Sequence, residues 1–254
     1  MIKFFLNSFG LILTRGDRVR EELSCTYETA IWYDKLQPIF SVKIEDTCDF
    51  FSFGFAYGGH HPYVRTLIQY KKNNKQLIYE ESYLKKYYTK FCPSDTYEVF
   101  FSSTKILNQS HEGLTGFLLP WNNKPKIDYK NKKLMYSGPM SDDEGKHELR
   151  RLLEVYNSIE KNGYYKRKSS SLLDSNHIQG YFLKKNDCYK FIVLHGKHRI
   201  ASLSVLGKSY APVTFDLCNP RVVDISSLDS WPQVRNKTYS REVALKMFNS
   251  FFND

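Results

Sequence analysis

Phe191-Ile-Val-Leu-His-Gly-Lys-His-Arg-Ile-Ala-Ser-Leu-Ser-Val-Leu-Gly207 reads as a buried strand, a glycine turn and a helix with a basic start. Residues 189–194 (Tyr-Lys-Phe-Ile-Val-Leu) are aromatic and β-branched, which suits a strand. Gly196 lets the chain turn sharply. A helix then begins at Lys197 or His198, carries Ile200, Leu203 and Leu206 on one face, and stops at Gly207. The start of a helix offers unpaired N–H groups and a partial positive charge, so it favours anions, phosphate above all. His198 and Arg199 add donors there, and a guanidinium can grip phosphate with two parallel bonds. The stretch therefore predicts a phosphate-binding turn at Gly196, Lys197, His198 and Arg199. The alternative for the His198–Arg199 pair is a surface pair neutralising a local carboxylate, and for Lys197 a solvent-facing side chain. His195 and His198 are spaced too closely for a helical metal pair, and no third ligand is evident.

Outward from this stretch, Ala211-Pro-Val-Thr-Phe215 reads as a following strand. Val222–Ile225 is a short strand, and a last helix runs from about Ser240, a good N-cap, to Phe252. Upstream, Gly138-Pro-Met-Ser141 makes a turn, and Asp142, Asp143 and Glu144 open a helix that runs to Gly163. Lys166-Arg-Lys-Ser-Ser-Ser171 is a basic, serine-rich loop. The polar segment 122–137 is expected to be a linker, dividing the chain into 1–130 and 131–254. In the first half, Ser41-Val-Lys-Ile alternates like a strand. The stretch from His60 to Tyr70 reads as a turn and a helix with Pro62 in its first turn, and Glu80–Phe91 as a second helix with Ser82 at its start. Leu118-Leu-Pro-Trp121 reads as a packed corner.

The chain has 254 residues, enough to bury a substantial core, and its 19 Tyr and 18 Phe mark it as globular. The net charge of +10 suits anionic partners: nucleotide, nucleic acid, phosphorylated glycan or an anionic membrane surface. The 5 cysteines are widely spaced with no Cys-x-x-Cys, so reduced thiols and a cytoplasmic setting are expected rather than zinc or disulfides. The run Met1–Arg15 is too short to span a bilayer and lacks a small-residue cleavage site. It reads as a core helix, or as a surface-lying anchor at the inner membrane.

The strand–glycine–Lys-His-Arg–helix pattern resembles the ParB/sulfiredoxin-like superfamily, whose members carry Gly-x-x-Arg or Gly-x-His-Arg at such a turn. The helix ending in Ser158-Ile-Glu-Lys-Asn-Gly163 and the strand Ala211–Phe215 extend the resemblance over roughly residues 140–217. His-Pro-Tyr63, Ser82-Tyr-Leu-Lys-Lys-Tyr-Tyr88, Leu-Pro-Trp121, Gly138-Pro-Met-Ser141 and Trp231-Pro-Gln-Val234 look like a ParB-like family encoded among bacterial cell-surface polysaccharide genes. The resemblance implies an α+β fold: a ParB/sulfiredoxin-like C-terminal domain with a mixed α/β N-terminal region packed against it. It also implies a nucleotide, ATP or another nucleoside triphosphate, held at the Gly-x-His-Arg turn.

Sulfiredoxin has a reactive cysteine where Lys197 stands, so the resemblance does not imply sulfinic-acid reduction. About forty residues follow Phe215, and they do not read as ParB's helix-turn-helix. What the resemblance implies is phosphoryl transfer to a sugar or glycan hydroxyl, with Mg²⁺. In the superfamily the segment before the long helix lies beside the phosphate turn. That position implies Asp142 and Glu148 as base or magnesium ligand, with Asp142 on the metal, and Ser141 at phosphate. These groups otherwise simply satisfy a helix start. His60, His61 and Arg65 are candidates for an acceptor pocket, or an ordinary helix start. Trp32 and Trp121 are candidates for a sugar-stacking face, or core. The alternatives are a ParB-like nucleic-acid-binding or nuclease protein, and a non-catalytic nucleotide- or glycan-binding accessory to a polysaccharide-assembly complex.

Overall fold

A computed structural model describes residues 27–32, 38–101, 117–123, 136–164 and 177–252. The apolar N-terminal run, most of the expected linker and the basic serine-rich loop lie outside the described residues. The helices are α1 (Tyr27–Trp32), α2 (Pro62–Lys72), α3 (Tyr83–Lys90), α4 (Thr96–Phe101), α5 (Asp142–Asn162), α6 (Lys197–Val205), α7 (Pro232–Arg235) and α8 (Arg241–Ser250). The strands are β1 (Phe40–Lys43), β2 (Thr47–Cys48), β3 (Ile178–Lys185), β4 (Cys188–His195), β5 (Tyr210–Phe215) and β6 (Val222–Asp224). The fold is α+β in the broad sense, with a mixed sheet ordered β1-β5-β3-β4-β2 and β6 also beside β3.

β3 and β4 form an antiparallel hairpin whose turn passes through Asn186 at φ 54°. β3 also pairs in parallel with β5 along Ile178–Gly180 and with β6 along Phe182–Lys184. This central position explains why Tyr181-Phe-Leu183 and Phe191-Ile-Val193 are apolar without a break: both faces of the sheet are covered. Phe182, Phe191 and Val193 face one core with α2, α5 and α6. Tyr181, Leu183 and Ile192 face a second core with Trp121, Trp231 and α8.

The expected boundary near residue 130 does not separate two sheets. β1 pairs with β5, β2 pairs with β4, and Phe40 and Val42 lie in the same core as Ile178 and Ile200. Periodicity within either half does not reveal this pairing, because the partners are some 150 residues apart. Trp121 is part of that shared interior. Its indole N–H donates to the Tyr181 hydroxyl at 2.9 Å, so it offers no open face to a sugar, whereas Trp32 is 86 % exposed.

The helix starts obey local chemistry. Ser82 and Ser240 accept from backbone N–H groups at the starts of α3 and α8, and Ser141 with Glu144 forms a reciprocal capping box on α5. Along α5, Gly145, Leu149, Leu152 and Tyr156 make the buried stripe. At 100° per residue, Glu148 and Arg151 flank that stripe on one side, and Lys146 and Arg150 on the other. α6 is enclosed almost all round, from Ile200 through Val205, which fixes its start firmly against α2 and α5.

Candidate functional site at the start of α6

Gly196 caps α6 in the left-handed region, at φ 89° and ψ 24°. A β-carbon there would come within 2.9 Å of the Arg199 guanidinium and 3.0 Å of Ile178, so both conformation and space ask for glycine. The next three side chains leave the turn in three directions.

His198 turns towards α5. Its Nε2 lies 2.8 Å from Glu148 Oε1, and its ring packs at 4.7 Å on the ring of Tyr63, the second residue of α2. The Tyr63 hydroxyl donates to the same Glu148 oxygen. His198 and Glu148 are only 14 % and 12 % exposed, so the three groups form a sheltered cluster with an edge to solvent. Burial alone would raise the Glu148 carboxyl. The bond and charge of His198, the Tyr63 hydroxyl and Arg151 outweigh it and pull the pKa down to about 2. An ionised carboxylate only accepts, so Nε2 of His198 carries the hydrogen in this contact and the lone pair of the neutral ring is on Nδ1. Nδ1 has no hydrogen-bond partner among the described residues.

Lys197 turns inward, contrary to both expectations for it. Its side chain is 4 % exposed, its Nζ lies 3.7 Å from Asp49 Oδ2, and it sits over the rings of Phe50 at 3.6 Å and Tyr136 at 4.0 Å. The reason is geometric: the first residue of α6 points at the loop after β2, where Asp49 is fixed by the backbone N–H groups of Phe51 and Phe53. Burial lowers the Lys197 pKa to about 8 against the pull of Asp49, and the same burial raises Asp49. Arg199 turns the other way and donates to the His177 carbonyl at 3.1 Å, bracing the entry into β3.

His61 is buried, stacked at 4.0 Å on Phe55, and its Nδ1 accepts from the Tyr63 N–H to cap α2. Its Nε2 therefore carries the hydrogen and faces Asp49 Oδ2 at 3.7 Å. Burial, then the charges of Lys197 and His198, holds its pKa well below the ordinary value. It is an internal cap rather than a pocket wall, because a capping ring has to turn towards its own helix. His60 is exposed, and the backbone N–H of Arg65 is bonded to the His61 carbonyl within α2. Of the three, the His61 side chain is the one buried inside the fold.

Asp142 is bonded to Lys85 of α3, and Ser141 to Glu144. Asp142 and Glu148 are six residues apart on α5, which separates them by about 9 Å along the axis and about 120° around it. The structure thus brings Glu148 and His198 together and leaves Asp142 and Ser141 at a different place. Among the described residues no group of three or more acidic, His or Cys side chains forms a cradle for a metal ion. Asp142, the expected magnesium ligand, is half exposed and is bonded to the Lys85 ammonium. A groove of about 490 Å³ lies on the far flank of α5, between Lys146, Leu149 and Leu153 and the segment Leu77–Glu80, away from His198.

The residues that sequence reasoning gave no role are Tyr63, Asp49 and Arg151. Arg151 follows Glu148 by three positions, a spacing that puts both on one face and could have been read. Tyr63 stood in the quoted His-Pro-Tyr run without a role. Asp49 is an acid among aromatics, a pattern that gives no hint of a partner 148 positions away. Among the described residues no helix is long and apolar enough to cross a membrane. Compared with protein-family models, curated proteins and solved structures, this chain finds no match.

Proposed function

We propose that this protein transfers a phosphoryl group from a nucleoside triphosphate, ATP in the first instance, to a hydroxyl of a sugar or cell-surface glycan, at the start of α6. The observation that carries the reading is the His198–Glu148 pair at 2.8 Å, steadied by Tyr63 and lying at the first turn of a rigid helix. The nucleotide, the glycan acceptor and a place near a polysaccharide-assembly complex come from the ParB/sulfiredoxin-like resemblance of Gly196-Lys-His-Arg199 and its flanking elements.

In this reading the acceptor hydroxyl approaches His198 Nδ1. Nδ1 takes the hydroxyl proton while the freed oxygen attacks the terminal phosphorus. The bond from that phosphorus to the bridging oxygen breaks, and the nucleoside diphosphate leaves with the electron pair. Glu148 stays ionised throughout. It orients the imidazole and stabilises the imidazolium, the part a carboxylate plays behind a histidine base. Glu148 is therefore a positioning residue, with His198 the group that touches the substrate.

The test is calorimetric binding of Mg²⁺-ATP, followed by transfer of labelled phosphate to a panel of glycan and monosaccharide acceptors. We expect saturable ATP binding, transfer to at least one acceptor, and a fall of about 10²–10⁴-fold in turnover for His198→Ala. A folded protein that neither binds ATP nor labels any acceptor overturns the reading. Binding without transfer favours the non-catalytic alternative instead.

A further inference from the structure

The sequence puts the phosphate-gripping guanidinium at Arg199. The side-chain directions oppose this. Arg199 is held by the His177 carbonyl at 3.1 Å, and Lys197 is sealed between Asp49 and two aromatic rings. Neither can reach outward without giving up an internal partner.

Arg151 stands differently. It lies on the same flank of α5 as Glu148, its side chain is 56 % exposed, and its Nη1 is 3.7 Å from Glu148 Oε2. That distance is attractive but longer than a hydrogen bond, so the planar fork keeps its donors for another acceptor. Arg151, Glu148 and His198 thus form one line of contacts, at 3.7 Å and 2.8 Å, and of Arg151 and Arg199 it is Arg151 that is exposed.

A polyanion arriving beside His198 would meet the ionised Glu148, and like charges repel. A guanidinium tethered to that carboxylate and open on its other side removes the conflict, since it can accept a phosphate in two parallel bonds while screening the acid behind it. We infer that Arg151 is the residue that grips the polyphosphate of the substrate at the His198–Glu148 pair, and that Arg199 braces the fold. This rests on the phosphoryl-transfer reading only for the nature of the ligand, a di- or triphosphate.

The experiment titrates the full chain with ATP and separately with inorganic tripolyphosphate, for wild type, Arg151→Ala, Arg151→Lys and Arg199→Ala. For Arg151→Ala we expect both affinities to fall about tenfold to a hundredfold with an unchanged melting temperature. Arg151→Lys should recover only part of the loss, because an ammonium lacks the fork. Arg199→Ala should lower the melting temperature while the folded fraction still binds. Tripolyphosphate uptake by wild type that Arg151→Ala leaves within twofold overturns the inference, as does no uptake of either probe. Uptake of tripolyphosphate but not ATP, lost in Arg151→Ala, upholds the inference and sinks the nucleotide reading.

Discussion

Glu148 is the residue on which the site turns. Two hydrogen-bond donors share one of its oxygens, and the Arg151 guanidinium stands near the other. Its carboxyl titrates at about 2 in the folded chain against an ordinary 4.5. A depressed carboxyl contributes stability that is complete above the unfolded value and is lost as pH falls towards the folded one. The window is therefore about pH 4.5 down to about pH 2, and the contribution at neutral pH is on the order of 3 kcal/mol. Urea unfolding of wild type and Glu148→Gln should show that gap at pH 7 and less than half of it at pH 3. A gap of equal size at both pH values would count against the ion-paired geometry. Lys197 acts in the opposite sense. Its depressed amine makes burial of the charge unfavourable below about pH 8, a penalty that fades as pH rises towards the ordinary lysine value. Asp49 and the two ring faces offset that penalty, and Asp49 is itself left uncompensated if Lys197 is removed.

At the scale of elements, α5 is the beam that carries Glu148 and Arg151, and its seating depends on a close approach at Gly145. A β-carbon at that position would lie 2.0 Å from the Tyr79 hydroxyl and 2.6 Å from its ring edge, and Tyr79 is only 3 % exposed, so the ring or the helix has to move. In an exposed helix, glycine to alanine stabilises by about 1 kcal/mol. Here the sign should reverse. We expect Gly145→Ala to destabilise by about 1–3 kcal/mol and to lower turnover with it, because α5 has to shift and carries Glu148 along. Thermal melts and turnover of the same variant check both parts, and a raised melting temperature would refute the packing argument. Ion pairs that join α5 to its neighbours, Lys146–Glu80 and Lys75–Glu160, are exposed and contribute little by comparison.

At the scale of the whole molecule, the N-terminal strands complete a sheet whose centre comes from the second half. Phe40, fully buried, packs its ring against Phe182, Phe191 and Phe215. Phe40→Ala should cost about 3–5 kcal/mol, and a fragment covering 131–254 alone should show no cooperative melt. A sharp two-state transition in that fragment would mean the halves are independent after all. Much of the architecture could be read along the chain: the strand and turn before α6, the serine caps of α3, α5 and α8, and the run of apolar residues in β3 and β4. These are local matters, set by periodicity and by which side chains satisfy free backbone groups within four residues. The same reading named Glu148 and His198 separately, as a catalytic acid and a phosphate ligand, without pairing them, and it gave Lys197, Arg199 and His61 outward-facing roles although each is engaged with an internal partner. Which way a side chain leaves a turn depends on what stands opposite, here Asp49 for Lys197, the His177 carbonyl for Arg199, Tyr63 and Glu148 for His198, and Lys85 for Asp142. Those partners lie from 22 to 148 positions away in sequence, and nothing in local propensity encodes a meeting that exists once two cores have closed on opposite faces of a shared sheet.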